Sequence, residues 1–280
     1  MKIAVTGASG YIGRHVVDIL VKLGHEVIAV DLINKGINTD AKFKTLDIFC
    51  DDIYDKLERP EVCIHLAWKD GFSHNSDAHM EMLSSHYRFV KCLINSGIKH
   101  LSIMGSMHEV GYHEGVIDEN TPTNPLSMYG IAKNSLREAT QLLVRDTNTC
   151  FTWLRAFYII GDDSNNNSIF SKISQMEKEG KETFPFGTGK NKYDFIDVDE
   201  LAFQIAIASI QDDESGIINC CSGKTVSLAE KVNEYIEKNK YHIKPLYGAF
   251  PERAYDSPAI WGDSTKINRI IEKYYEQNKV

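Results

Sequence analysis

The stretch KIAVTGASGYIG, Lys2 to Gly13, places Gly7, Gly10 and Gly13 behind a short apolar run and ahead of a helical stripe. The run is short, bounded by glycine and rich in branched residues, which reads as a buried strand. The stripe, Ile12, Val16, Ile19, Leu20 and Leu23, has helical spacing and stops at Gly24. A glycine turn at such a junction lets backbone amides approach a pyrophosphate, whose charge the helix N-terminus favours. Glycine turns also serve as plain connections, but the strand before and the helix after are the context a dinucleotide site needs. Gly7, Gly10, Tyr11, Ile12 and Gly13 are therefore expected to hold a dinucleotide.

The next apolar run, EVIAVD, ends in Asp31, 18 residues past Gly13. An acid there accepts hydrogen bonds from the adenosine ribose hydroxyls and repels a 2'-phosphate. No arginine follows in DLINKGIN to welcome that phosphate, and Lys35 is the nearest cation. NAD is expected in preference to NADP. Further runs, VCIHLAW, HLSIMGS and CFTWLRA, alternate with helix-like stretches such as Met80 to Asn95, which Gly97 closes. This alternation predicts a parallel sheet with crossover helices, an α/β doubly wound fold of Rossmann type. Past about residue 160 the pattern becomes irregular. We expect residues 1–160 to form the dinucleotide-binding domain, with 193–213 returning to it through a strand and a helix. Residues 161–192 and 214–280 are expected to form a smaller C-terminal substrate lobe.

Composition narrows the function classes. A net charge of -8 and a pI near 5.7 argue against nucleic acid as the main partner. The N-terminus lacks the long apolar region of a signal peptide, and no apolar run approaches the roughly 18 residues of a membrane span. The six cysteines have no C-x-x-C spacing, and five lie in or beside apolar runs. They are expected to be free thiols of a cytoplasmic protein. Among ten histidines the close sets are His74 with His79 and His108 with His113, without the acid or cysteine spacing of metal ligands; no metal is expected.

The segment LSMYGIAKNSLREA puts Tyr129 four residues before Lys133. Ala132, Leu136, Ala139 and Leu143 draw an apolar helical stripe, with the tyrosine and lysine beside it on a shared face. Asn124 and Pro125 suit the start of that helix. Spacing alone leaves the pair open between a proton relay and two ordinary helix residues.

Taken together, the glycines at Gly7 to Gly13, HLA at His65 to Ala67, GS at Gly105 and Ser106 and YGIAK at Tyr129 to Lys133 resemble an extended short-chain dehydrogenase/reductase. More narrowly, the chain resembles the NAD-dependent epimerase/dehydratase family acting on nucleotide sugars. RAFYIIG at Arg155 to Gly161, YDFIDVDELA and NCCSG are similar to that family's later landmarks. The resemblance implies that Tyr129 is a general acid/base at a sugar hydroxyl or keto oxygen. It also implies that Lys133 contacts the nicotinamide ribose, and that Ser106, ending a strand, hydrogen-bonds the same substrate oxygen. A phenol ordinarily titrates near 10, so a nearby ammonium would favour its phenolate. By the same resemblance Asp47 and Ile48 flank the adenine, Leu66, Ala67 and Trp68 line the cofactor cleft, and Arg253 grips the nucleotide diphosphate. His65 reads better as a satisfied core histidine than as a catalyst. A homodimer through helices including the one bearing Tyr129 is also implied.

Departures from the family pattern bear on the reaction. Dehydratases of the family follow the strand-end serine or threonine with an acid pair; here Met107 and His108 stand there, and Met107 cannot exchange protons. A one-residue gap would let Glu109 take the glutamate's place. Tyr158 replaces an asparagine and Tyr193 an arginine. Met107, His108, Tyr158 and the loop Asn165, Asn166 and Asn167 are thus candidate shapers of the sugar pocket. The expected function is an NAD(H)-dependent oxidoreductase at C4 of a nucleotide-linked hexose, reducing a 4-keto-6-deoxy sugar or running that reaction backward. The alternative is a nucleotide-sugar 4-epimerase that retains its NAD. A dehydratase or a non-catalytic NAD-sensing protein ranks below both.

Overall fold

The computed structural model describes residues 1–161, 168–251 and 256–278. Seven parallel strands form the central sheet: β1 (Lys2–Thr6), β2 (Glu26–Asp31), β3 (Lys42–Thr45), β4 (Val62–His65), β5 (His100–Ser106), β6 (Cys150–Ala156) and β7 (Gly216–Cys220). Their order is β7-β6-β5-β4-β1-β2-β3. The chain winds outward in both directions from β1 and β4, so the carboxyl ends of these two strands flank the crevice where such sheets bind ligands.

Both faces of the sheet are covered, which is why its strands are apolar on both sides; all seven residues of β5 are buried. On one face lie α1 (Gly13–Lys22), α6 (Val198–Ser209) and α8 (Thr265–Asn278), with Val16, Leu20, Leu201, Ile205 and Ile267 in one core. On the other lie α2 (Ile53–Lys56), α3 (Ala78–Asn95) and α4 (Met128–Val144), contributing Ile53, Phe89, Leu93 and Leu136.

Two further elements, α5 (Ile169–Lys178) and α7 (Leu228–Asn239), build the smaller lobe around Phe170, Ile173, Phe184, Phe186, Val232 and Ile243. The chain partition differs from the sequence expectation in three places. Gly216–Cys220, assigned to the lobe, is the seventh strand of the central sheet, paired with β6. Helix α8, also assigned to the lobe, packs its Ile267 and Ile270 into the main core. Phe195–Asp197 pairs with Tyr158–Ile160 in a separate two-stranded sheet, and its Ile196 lies in the main core beside Leu201 and Ile205 of α6. Gly115–Ile117, placed in the dinucleotide domain, pairs with Ala259–Gly262 in the lobe's four-stranded sheet. Local pattern identifies a strand but not the sheet it joins, because pairing is decided by contacts distant in sequence.

Asp194 ties the lobe together. Fully buried, it accepts hydrogen bonds from Ser222 N (2.9 Å), Ser222 Oγ (2.6 Å), Gly223 N (2.9 Å) and Gly262 N (3.2 Å). Its removal would strand three backbone donors, each a desolvation cost of about 1–3 kcal/mol.

Candidate active site

At the carboxyl edge of the sheet a cavity of about 1120 Å³ runs from the glycine turn to the lobe. Its lining includes Gly7, Gly10, Tyr11, Ile12, Gly13, Leu66 and Trp68 at one end. The glycines are required by contact. Gly7 has φ +69°, and a Cβ there would lie 2.6 Å from the Ala67 amide nitrogen; at Gly13 one would lie 2.1 Å from the Gly7 carbonyl oxygen. The N-cap of α1, Ile12, makes no side-chain hydrogen bond to the first-turn amides. A side-chain-free cradle against a helix start without such a cap fits a diphosphate. The Tyr11 hydroxyl donates to the Gly161 carbonyl, fastening this turn to the entrance of the lobe.

Asp31 ends β2 with Oδ2 accepting from Ser9 N (2.9 Å) and Oδ1 from Leu32 N (2.7 Å). A carboxylate has about four acceptor positions, so room remains for ribose hydroxyls. Asp47 is exposed and accepts from Phe49 N (3.0 Å), while Ile48 is buried in the core beneath α2 and α3. Asp31, Asp47, Ile48 and Ala67 stand outside the cavity's lining, although Ala67 forms the wall against Gly7.

Ser106, Tyr129 and Lys133 all line the same cavity. Ser106 ends β5; its backbone N–H donates to Glu109 Oε1 (2.6 Å), and its Oγ accepts from His108 N (3.3 Å), a capping box that starts the turn Met107–Glu109. Helix α4 begins later than Asn124 and Pro125 suggested: Ser127 is its N-cap, accepting from Gly130 N (3.1 Å). Pro125 instead lies against Gly130, whose missing Cβ also lets α4 approach the His108 carbonyl. Tyr129 therefore occupies the first turn. Lys133 is buried one turn deeper, donating to the Met104 carbonyl (2.7 Å) with its ammonium 3.7 Å above the Trp68 ring.

Burial pushes the Tyr129 phenol above its usual range, the Glu109 charge adds to this, and a hydrogen bond with Ser106 opposes it. Burial pushes Lys133 down to about 7, and Glu109 works against that fall. An aromatic cage encloses the phenol. His74 stacks on the Tyr129 ring at 5.4 Å and 12°, with His79 and Trp68 set edge-on. His74 and His108 lie 4.2 Å apart, and burial drives the His108 imidazole down to about 3. Trp68 Nε1–H donates to His79 Nδ1 (3.0 Å), leaving the other imidazole nitrogen to face the Ser73 carbonyl (3.0 Å). His65 is buried between Thr6 and His86, as a satisfied core histidine.

Other expected pocket residues divide. His108 and Tyr158 line the cavity, and Tyr158 packs on Tyr193 at 4.4 Å. Met107 does not: it is buried with Val110, Ile117, Phe157, Cys221 and Ile260, because the turn after Ser106 directs it into the core. Glu109 is likewise fully buried beneath the site, so it does not stand where a dehydratase acid would meet substrate. Asn165, Asn166, Asn167 and Arg253 lie outside the described residues. Sequence reasoning missed His74, Phe72, Phe186 and Lys172 as lining residues. The His74/His79 spacing was the one available signal. All six cysteines are free thiols.

A Rossmann sheet with this glycine cradle and a serine, tyrosine and lysine converging at its carboxyl edge defines an NAD-dependent enzyme of the short-chain dehydrogenase type. The chain belongs to the NAD dependent epimerase/dehydratase family, whose model matches residues 3–221. It is 45% identical to a dTDP-6-deoxy-L-talose 4-dehydrogenase (NAD(+)) of Aggregatibacter actinomycetemcomitans, over 94% of this chain and 99% of that protein. It is 29% identical to a putative UDP-glucose 4-epimerase of Methanocaldococcus jannaschii, over 91% and 86% of the two chains. Among solved structures it resembles a UDP-glucose 4-epimerase of Thermotoga maritima with UDP-glucose. That match has a TM-score of 0.80 and 25% identity, and covers 96% and 92% of the chains.

Proposed function

We propose that this chain interconverts a hydroxyl and a ketone at C4 of a thymidine diphosphate-linked 6-deoxyhexose, using NAD(H). The observation that supports it best is the convergence of Ser106, Tyr129 and Lys133 in one cavity with the glycine cradle. The cradle would hold the diphosphate of NAD, Asp31 its adenosine ribose, Asp47 and Ile48 the edge of its adenine, and Tyr129 with Lys133 its nicotinamide ribose. When bound, NAD supplies or takes the hydride at C4. Ser106 Oγ and the Tyr129 hydroxyl hold the C4 oxygen. In reduction Tyr129 gives that oxygen its proton; in oxidation Tyr129 removes it, with the Lys133 ammonium stabilising the phenolate. His108 and Tyr158 shape the sugar pocket, Lys172 in its lining is a cation for the nucleotide diphosphate, and the family resemblance assigns Arg253 to the same group.

The relative with a 4-dehydrogenase name supports the 6-deoxy sugar; those named epimerases keep the 4-epimerase as the second reading. The two differ in cofactor stoichiometry: a dehydrogenase consumes NADH mole for mole with a 4-keto sugar, whereas an epimerase interconverts two alcohols with no net absorbance change. The exposed Met128, Ile131 and Leu142 on α4 and Met80 on α3 support a homodimer, which sedimentation equilibrium tests. Free thiols fit a cytoplasmic protein; a fusion reporter would test that location.

Asp31 makes a separable prediction. The intact protein should bind NADH more tightly than NADPH, and Asp31→Ala should narrow that gap by removing repulsion of the 2'-phosphate. Fluorescence titration with both cofactors measures it; tighter NADPH binding by the intact protein would remove Asp31 from this role.

A further inference from the structure

Beneath the reacting groups lies a charged cluster that the mechanism above leaves without a task. Glu109 and Arg155 have no exposed surface, and Arg137 has little. Glu109 Oε2 lies 3.7 Å from Arg137 Nε and 3.7 Å from Arg155 Nη2. Its Oε1 accepts from the Ser106 backbone N–H (2.6 Å), and both oxygens accept from Trp153 Nε1 (2.9 Å each). Arg155 is held in turn by the Asp118 carbonyl (3.1 Å), and Arg137 by Asn134 (2.6 Å) and Gln141 (3.0 Å). Among the described residues every group bonded to or ion-paired with Glu109 is a donor. A protonated carboxyl would have no acceptor for its O–H, so the donor set selects the carboxylate. Burial raises this carboxyl, and the Arg155 guanidinium leads the groups that oppose the rise.

Replacing such a cluster with apolar side chains would often cost a protein nothing in stability, which directs attention to its position. Glu109 grips the backbone of the residue whose hydroxyl faces Tyr129. Arg137 lies one helical turn beyond Lys133 on α4, and Lys133 Nζ is bonded to the Met104 carbonyl, two residues before Ser106 on β5, so Lys133 and Glu109 hold neighbouring points of one strand end. We propose, resting on the C4 redox reading above, that Glu109 is a positioning residue: its carboxylate fixes Ser106 and supplies the negative charge that keeps the buried Lys133 cationic, with Arg137 and Arg155 moderating that charge.

The geometry gives opposite signs for two substitutions. Glu109→Gln keeps an acceptor for Ser106 N–H and removes the negative charge, which destabilises the Lys133 ammonium. Arg137→Gln removes a cation and leaves Glu109 paired with Arg155, which strengthens the negative field. The remaining aromatic and titratable groups around Lys133 and Tyr129 among the described residues, namely Trp68, His65, His74, His79, His86 and His108, are untouched by either change.

The experiment is a pH titration of ¹³C-methylene-labelled lysines in the full chain by NMR, with Lys133 assigned through Lys133→Met. Wild-type Lys133 should titrate near 7. In Glu109→Gln its midpoint should move to lower pH by about one pH unit, the smaller end of the effect of a neighbouring charge. In Arg137→Gln it should move to higher pH. Near-ultraviolet circular dichroism verifies folding, and should Glu109→Gln not fold, the direction seen in Arg137→Gln decides. An unmoved Lys133 midpoint in the folded variants, or a shift of both in the same direction, would overturn the proposal. The titration needs no sugar, so failure of every 4-keto sugar to turn over would contradict the C4 reading and leave this result standing.

Discussion

Tyr129→Phe should lower turnover by about 10² to 10⁴, the usual scale of general acid/base catalysis, while leaving the melting temperature near that of the wild type and lowering NAD affinity by at most about tenfold, the worth of one lost ribose hydrogen bond. The expectation follows from how the ring is held. Its faces and edges are packed by His74, His79 and Trp68, and phenylalanine preserves all three contacts. The hydroxyl lies in the cavity with Ser106, and its loss removes the proton donor without opening a void. Steady-state kinetics beside a cofactor titration make the comparison. Wild-type turnover in the variant would show that α4 supplies structure and that the proton comes from elsewhere.

Lys133→Met should separate stability from activity in opposite directions. An unfolded lysine titrates near 10.4, whereas burial holds Lys133 at about 7. Between these values the unfolded chain binds more protons than the folded one, so folding is favoured progressively as pH rises through that window. The cost of burying the ammonium is complete below about pH 7 and lost near pH 10. Methionine keeps an unbranched chain over Trp68 and has no charge to desolvate, though it gives up the bond to the Met104 carbonyl. The variant should therefore melt above the wild type at pH 6, with the advantage shrinking toward pH 9, while NAD affinity and turnover both fall. Thermal unfolding across that range measures it. An advantage independent of pH would mean that Lys133 is not buried as a cation.

These expectations rest on residues that differ in how far the chain alone revealed them. The glycine turn was legible because each glycine answers a local steric demand: Gly7 and Gly13 meet backbone atoms that any side chain would strike. The shared face of Tyr129 and Lys133 was legible because a helix places residues four apart on one face, whereas their reading as a reacting pair came from the resemblance. Met107 was misplaced because the step from β5 into the following turn decides which side chain enters the cavity and which the core. Glu109 fell to the same turn: a charged residue beside a serine proposed as catalytic invites a chemical role, and only its burial among Arg137, Arg155 and Trp153 shows it facing away. Gly216–Cys220 was misassigned because its pairing with Cys150–Ala156 spans more than sixty residues, and nothing local records which sheet it completes. His74 reaches Tyr129 through a long β4 to α3 connection whose path the residue pattern does not encode.

The central claim is hydride transfer at C4, and isotope transfer tests it most directly. The purified protein should be given thymidine diphosphate-4-keto-6-deoxyhexose and NADH deuterated at the transferring C4 position of its nicotinamide, with the sugar product examined by NMR and mass spectrometry. The account predicts one deuterium at C4 of the sugar for each NADH oxidised, and none in the product of Tyr129→Phe beyond the residual rate. Product carrying no deuterium at C4, or epimers of a 4-hydroxy sugar interconverting while NAD stays catalytic, would contradict it.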